Sequence, residues 1–221
     1  ADKKLSSLHA ASLRLLNLVR LRAHPAERLN ELAKSLSVKT PNPNLKQDLW
    51  DYTVLLDGFL EMDESDSKPA TTIPKGEDLT DWIATFEGTS KEAREHALAQ
   101  WQATRSMPWL IAALTFANGK DPQAGELLGE AQKVKNTSPA FPAARYHAIR
   151  LLLGSGKDAE ARTLLDQTLK TERARFDESA LNLLLSQRML LANNLSEFLA
   201  DAARVPAALS WNDDGREIPT D

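Results

Sequence analysis

The residues best able to do chemistry in this chain lie in the run LLLGSGKDAEA, residues 151–161, where an apolar stretch leads into Gly154, Ser155, Gly156 and Lys157 much as a strand leads into a phosphate-binding loop. Such a loop needs a first glycine where phosphate approaches the backbone, a lysine for the terminal phosphates and a hydroxyl for magnesium. With Gly156 and Lys157 in their slots, the first glycine position holds Leu151 and the hydroxyl position holds Asp158. A carboxylate there repels phosphate, so the run does not read as a nucleotide site. Four histidines, His9, His24, His96 and His147, are the available general bases. None is spaced with another as a helical zinc site requires, and no G-x-S-x-G nucleophile signature occurs. His147, between Tyr146 and Arg150, reads as a packing or hydrogen-bonding group. Asp63, Glu64 and Asp66 lack the order of a calcium loop and read as a solvated loop. Asp48 and Asp51 read as part of a solvated helix face. No enzyme class finds its constellation, and no cofactor or metal is expected.

What positions these residues is a repeat. GKDPQAGELL (119–128) and GKDAEARTLL (156–165) agree at Gly, Lys, Asp, Ala, Leu and Leu, each pair 37 residues apart. Two nucleotide loops at that spacing are implausible, whereas a fixed period of about 20–50 residues marks stacked supersecondary units. A further step of 37 reaches Asn193, the residue after glycine most tolerant of the left-handed region, and implies a third, weaker copy over 177–205 with Phe198 at the alanine position.

Leucine and alanine dominate and apolar residues recur at three and four, which predicts an all-α chain. Helices are expected over 3–22, 25–36 and 45–62. The first carries Leu5, Leu8, Ser12, Leu15, Leu16 and Val19 on one side, with Leu13, Leu18 and Leu21 widening the stripe, so it is expected to be covered on two sides. Residues 63–77, polar and proline-containing, form the expected linker. Beyond them, helical hairpins are expected over 78–205 and a tail over 206–221. Ser106 and Pro108 open a helix that Gly119 ends in a left-handed turn; Asp121 caps the next, starting at Pro122. Gly156 closes a helix over 143–153, and Asp158 caps its partner.

Ala112, Gly119, Ala124, Leu128 and Pro139, and again Gly156, Ala161 and Leu165, follow a pattern of small residue, turn glycine, alanine, large apolar residue and proline. Over residues 107–205 the chain resembles the tetratricopeptide-repeat family, although that family's period is 34. The resemblance implies an α-α superhelix of stacked antiparallel hairpins whose first helices form a concave wall. It also implies partner-binding positions on that wall: Trp109 with Ala113, Tyr146 with Arg150 and the neighbouring His147, and Leu183 with Gln187. Aromatic rings and a guanidinium in one groove suit peptide recognition. Trp109 and Tyr146 read equally as core residues, and Trp50, Trp82 and Trp101 read as core. Trp211 either plugs the last hairpin or begins a following domain.

Composition bounds the rest. The 221 residues carry a net charge of −4 and no cysteine, so no global positive field exists for a nucleic-acid backbone and no thiolate or disulfide chemistry is available. No apolar run approaches the roughly 20 residues that span a bilayer. The chain opens Ala-Asp-Lys-Lys without an initiator methionine, as after export and cleavage or in a domain of a longer protein; a periplasmic or otherwise exported setting is expected, with a cytoplasmic one as the alternative. Charge is uneven: Arg14, Arg20 and Arg22 make the first helix basic and 48–66 is acidic, and these are expected to pair with each other. The expectation is a non-catalytic module binding a protein or peptide, alone or in a larger complex. The alternatives are an accessory superhelical domain of a cell-wall-processing enzyme such as a lytic transglycosylase, and a small-molecule or lipid-binding helical domain.

Overall fold

The computed structural model describes residues 6–38, 40, 43–60, 62–63, 68–69, 78–88, 91–205, 210–211 and 217–218. The chain is helical, in the order α1 (Ser6–Ala23), α2 (Pro25–Leu36), α3 (Leu45–Leu60), α4 (Asp78–Glu87), α5 (Lys91–Thr104), α6 (Met107–Phe116), α7 (Ala124–Lys133), α8 (Phe141–Gly154), α9 (Asp158–Thr171), α10 (Glu178–Met189) and α11 (Leu195–Ala202). Its extended pairings among the described residues are two antiparallel two-residue ladders, Met62–Asp63 with Lys68–Pro69 and Ser210–Trp211 with Glu217–Ile218. No described helix is long and apolar enough to cross a membrane. Two compact units divide the chain, Ala1–Ala93 and Arg94–Asp221. The expected linker at 63–77 lies almost wholly outside the described residues, as does the side chain of Trp211.

In the first unit, Pro25 opens α2 without loss of a needed amide, and Glu27 and Lys34 sit at the helix ends where the backbone dipole favours their charges. Helix α2 packs on α1, α3 and α4. Leu29, Leu32, Ala33, Tyr52, Leu55, Leu56 and Phe59 form the core, with Leu21, Leu79 and Ile83 against it. Four expectations fail here. Asp48 and Asp51 are buried rather than solvated, facing Arg28, whose Nη2 lies 3.7 and 3.9 Å from their carboxylates. Trp50, read as core, is 68% exposed. Helix α1 is not covered on two sides: Leu8, Leu13, Leu15, Leu16, Leu18 and Val19 are all exposed. The expected pairing of the basic helix with 48–66 is also absent among the described residues, since Arg20 pairs with Glu31 of α2.

The second unit is built from helix pairs joined by short turns, α6 with α7, α8 with α9 and α10 with α11; α8 packs on α6, α7 and α10. Helix α8 ends in a full Schellman motif: the Lys157 N–H donates to the Leu152 carbonyl at 2.9 Å and the Gly156 N–H to Leu153 at 3.0 Å, with Gly156 at φ +75°. The other two corners differ from expectation. Gly119 does not adopt a positive φ, and neither does Asn193; among the described residues only Gly156 and Arg105 do. Gly119 is required by contact instead. A Cβ there would lie 2.3 Å from the Gly154 carbonyl carbon and 2.6 Å from the Leu151 oxygen, so the first corner fits against the end of α8 only without a side chain.

Caps shift in detail. Ser106 is the N-cap of α6, with a proline in the first turn, but its hydroxyl makes no capping bond. Asp121 does not cap α7, whose N-cap is Gln123; its carboxylate accepts from the Asn118 N–H at 2.6 Å and pairs with Arg94. Lys157, one residue before Asp158, is the N-cap of α9. Asp177 caps α10, accepting from the Ala180 N–H at 2.7 Å, and Asn194 caps α11, accepting from Glu197 N–H at 3.0 Å. The carboxylate of Glu197 in turn accepts from the Asn193 N–H, so the third corner is held by a reciprocal cap where the second uses glycine.

Candidate functional site

Of the expected wall residues, the second unit gathers three, Tyr146, His147 and Arg150, on α8 beside the last turn of α6. One guanidinium nitrogen of Arg150, Nη2, donates to the Leu114 carbonyl at 2.6 Å and to that of Thr115 at 3.2 Å. These are last-turn acceptors of α6, where a cation also meets the negative end of the helix dipole. Its Nε donates to His147 Nδ1 at 3.2 Å. A guanidinium only donates, so Nδ1 accepts and the neutral ring carries its proton on Nε2. That proton is donated to the Thr115 hydroxyl at 3.2 Å, which passes its own to the Ile111 carbonyl at 2.9 Å. The Tyr146 ring stands edge-on to the imidazole, with centroids 5.1 Å apart.

Burial and then the charge of Arg150 lower the His147 pKa from its ordinary value to about 4. Burial also lowers that of Arg150, opposed by Tyr146 and Asp121. The imidazole is therefore neutral at physiological pH, but its one lone pair is occupied by a cationic donor. A general base in that position would have to give up its own support. Arg150 and His147 form a clamp tying α8 to the end of α6, with the Tyr146 ring against the imidazole.

The remaining wall positions part company. Trp109 is fully buried at 0% exposure, with the His96 ring perpendicular to it at 5.6 Å, and Ala113 is buried beside it. Between α5, α6 and α7, next to Ala113, the space amounts to about 20 Å³, room for a single water. Helix α5 occupies the side on which these two residues were expected to face a groove, so the groove assignment of Trp109 is corrected to core. Gln187 on α10 is half-buried and Leu183 exposed, and no hydrogen bond joins Gln187 to the trio among the described residues.

Sequence reasoning missed Thr115 and the α6 carbonyls, because a clamp between helices leaves no local spacing. It also missed a second clamp of the same design. Arg162 on α9 donates through Nη1 to the Leu191 carbonyl at 2.5 Å, just beyond α10, and through Nη2 to Glu197 at 2.8 Å. Arg188 of α10 joins Asp166 and the buried Asp201, at 2.9 and 2.8 Å. Among the described residues, no group of three or more His, Asp or Glu is placed to hold a metal ion.

The architecture defines a class, an all-helical protein of short helix pairs tied together by arginine-to-carbonyl clamps. Nothing narrower comes from comparison: no family model, curated protein or solved structure matches the chain.

Proposed function

We propose that the chain is a non-catalytic interaction module, a tetratricopeptide-like α-α superhelix over α6–α11 that holds a protein or peptide, alone or within a larger assembly. The observation that carries this reading is the apolar surface of the last helix pair. Leu183, Leu190, Leu195, Phe198 and Leu199 are between 41 and 75% exposed, while α10 packs on α8 and α9. Clusters of large apolar side chains left in solvent mark surfaces that a partner covers. Tyr146 and Gln187 would add aromatic and amide contacts; His147 and Arg150 would hold their wall in place. Affinity capture from an extract of the source cells, read by mass spectrometry, tests the reading with the parent, Leu199→Asp and Tyr146→Ser. Loss of captured species from either variant, at unchanged circular dichroism, supports it; identical recovery by all three sinks it.

One observation favours a second reading, small-molecule or lipid binding. An apolar depression of about 500 Å³ lies between α2, α3 and α4, inside the range of about 300–1,000 Å³ for ligand pockets. Native mass spectrometry of the purified protein tests for a retained mass.

A further inference from the structure

Two surfaces of the first unit lack a partner within the described chain, and their chemistries match. The first is α1. It meets α2 towards its C-terminal end, where Leu21 packs on the core. Leu8, Leu15 and Val19, spaced by seven and four, share one face of the helix, flanked by Leu16 and Leu18, and all five are between 45 and 63% exposed. The helix contains no acidic residue. Arg20 is engaged with Glu31, but Arg14 and Arg22 are exposed and make no ion pair with a described residue.

The second surface is the trough between α2, α3 and α4. Leu36, Leu49, Leu60, Leu79 and Ile83 are among its walls, and Asp57 and Glu87 line it too. Both carboxylate residues are exposed and neither has an ion pair among the described residues. The Tyr52 hydroxyl, which could have made the floor polar, is satisfied by Thr80 Oγ1 at 3.0 Å. Beyond Leu45 and Leu49 the trough runs into a second hollow beside the exposed Trp50, where Lys46 is the charged residue.

A leucine-rich helix carrying unpaired arginines is what an apolar trough with unpaired carboxylates accepts, in the helix-in-groove mode of recognition. One chain supplies both halves, with opposite signs. We infer that α1 of one copy docks in the α2–α3–α4 trough of a second copy and receives its partner's α1 in return. Such an exchange is closed and two-fold, covering both surfaces at once. It also explains why a helix apolar on nearly every side can have its outer face in solvent within one chain.

Analytical ultracentrifugation of the full chain tests the exchange. The parent is expected to be dimeric at roughly 100 µM, above the micromolar constant that a small interface gives. Leu15→Asp on α1 and Leu49→Asp in the trough, both at exposed positions, are each expected to weaken the dimer on the order of a hundredfold with unchanged circular dichroism. The sharper arm reverses charge. A chain with Arg14→Glu and Arg22→Glu is acid against acid, and one with Asp57→Arg and Glu87→Arg is base against base, so each alone is expected to dimerise on the order of tenfold more weakly. Mixed, each α1 meets a trough of opposite sign and the dimer returns. A parent monomeric at that concentration overturns the inference, with or without a small molecule in the trough. So does a dimer indifferent to Leu15→Asp and Leu49→Asp, or a pair of reversed chains that gain nothing on mixing.

Discussion

The two compact units place their large side chains and their charges differently. In the second, Trp101, Trp109, Phe141, Leu114 and Ile149 are nearly or fully buried, the exposed apolar residues lie mostly on and beside α10 and α11, and Arg150 and Arg162 reach across to carbonyls at the ends of neighbouring helices. In the first, a small core is flanked by exposed Trp50 and by most of the apolar residues of α1, while an arginine is placed inside. Arg28 is 7% exposed, and its Nε and Nη2 find no hydrogen-bond acceptor even though Asp48 and Asp51 stand within 4 Å. In the second unit Arg150 and Arg162 cap neighbouring helices, which satisfies both partners, while Arg145, paired with Glu172, leaves its Nε without an acceptor. The first unit buries Arg28 among carboxylates at distances too long for good hydrogen bonds, where desolvation competes with attraction.

Core truncation breaks the comparison most severely. Trp109→Ala is expected to cost about 3–5 kcal/mol, since little in so tight a setting can close the cavity. Trp50→Ala, at an exposed site, is expected to change stability by less than about 0.5 kcal/mol in the monomer. Urea denaturation at low protein concentration, followed by circular dichroism, reads both. Similar costs at the two tryptophans would contradict the burial that separates the units. Next comes Arg28→Met, which removes the cation facing the buried carboxylates of Asp48 and Asp51 and is expected to cost about 3 kcal/mol. Replacing all three groups, Arg28→Met with Asp48→Leu and Asp51→Leu, is expected to recover most of that loss. If the triple variant is as unstable as the single one, the long ion pairs are stronger than their geometry allows.

The His147 clamp gives a pH dependence that the second unit owes to geometry. Its folded pKa, about 4, lies below the ordinary value of 6.5, so between those values the unfolded chain binds more protons than the folded one. The stabilising contribution is complete above pH 6.5 and is lost as pH falls through 4; in size it is up to about 3 kcal/mol. His147→Gln, which cannot titrate, is expected to flatten this part of the urea-midpoint profile between pH 4 and 7. A variant profile parallel to the parent's would place the proton uptake elsewhere.

How much of this was legible follows from the range of each interaction. Helix limits and the Gly156 corner rest on neighbours within a few residues, and local spacing carries that information. The 37-residue spacing pointed to Gly119 as an equivalent corner, yet the reason differs: Gly156 needs a positive φ, whereas Gly119 needs the absence of a Cβ against Gly154, a contact 35 residues away. Trp109 is silent on its own helix, because its burial depends on α5 lying over α6. Arg150 was picked out as chemistry-bearing, but a groove guanidinium and one that caps another helix look the same in one dimension. Asp48 and Asp51 were misread for the same reason, their partner Arg28 lying on α2.

The difference between the two glycine corners can be separated directly. Gly119→Ala is expected to cost about 1–3 kcal/mol, because the clash is with backbone that must move. Gly156→Ala meets open space and suffers only the left-handed penalty, about 1 kcal/mol. Urea midpoints rank the two; a reversed order would mean that the close approach of the first corner to α8 relaxes at little cost.

The smallest effect has the opposite sign. Gly125 lies in the first turn of α7 and Gly58 inside α3, and a Cβ at either would meet nothing within 4 Å. Glycine in a helix gives the unfolded chain more freedom than alanine does, so Gly125→Ala and Gly58→Ala are each expected to stabilise by about 0.5–1 kcal/mol. Thermal midpoints of the two variants compare the units on equal terms, because the gain depends on the helix alone and not on what surrounds it. A gain at Gly125 with a loss at Gly58 would show that the open side of α3 is covered in solution. A loss that fades on dilution would assign that cover to a second molecule.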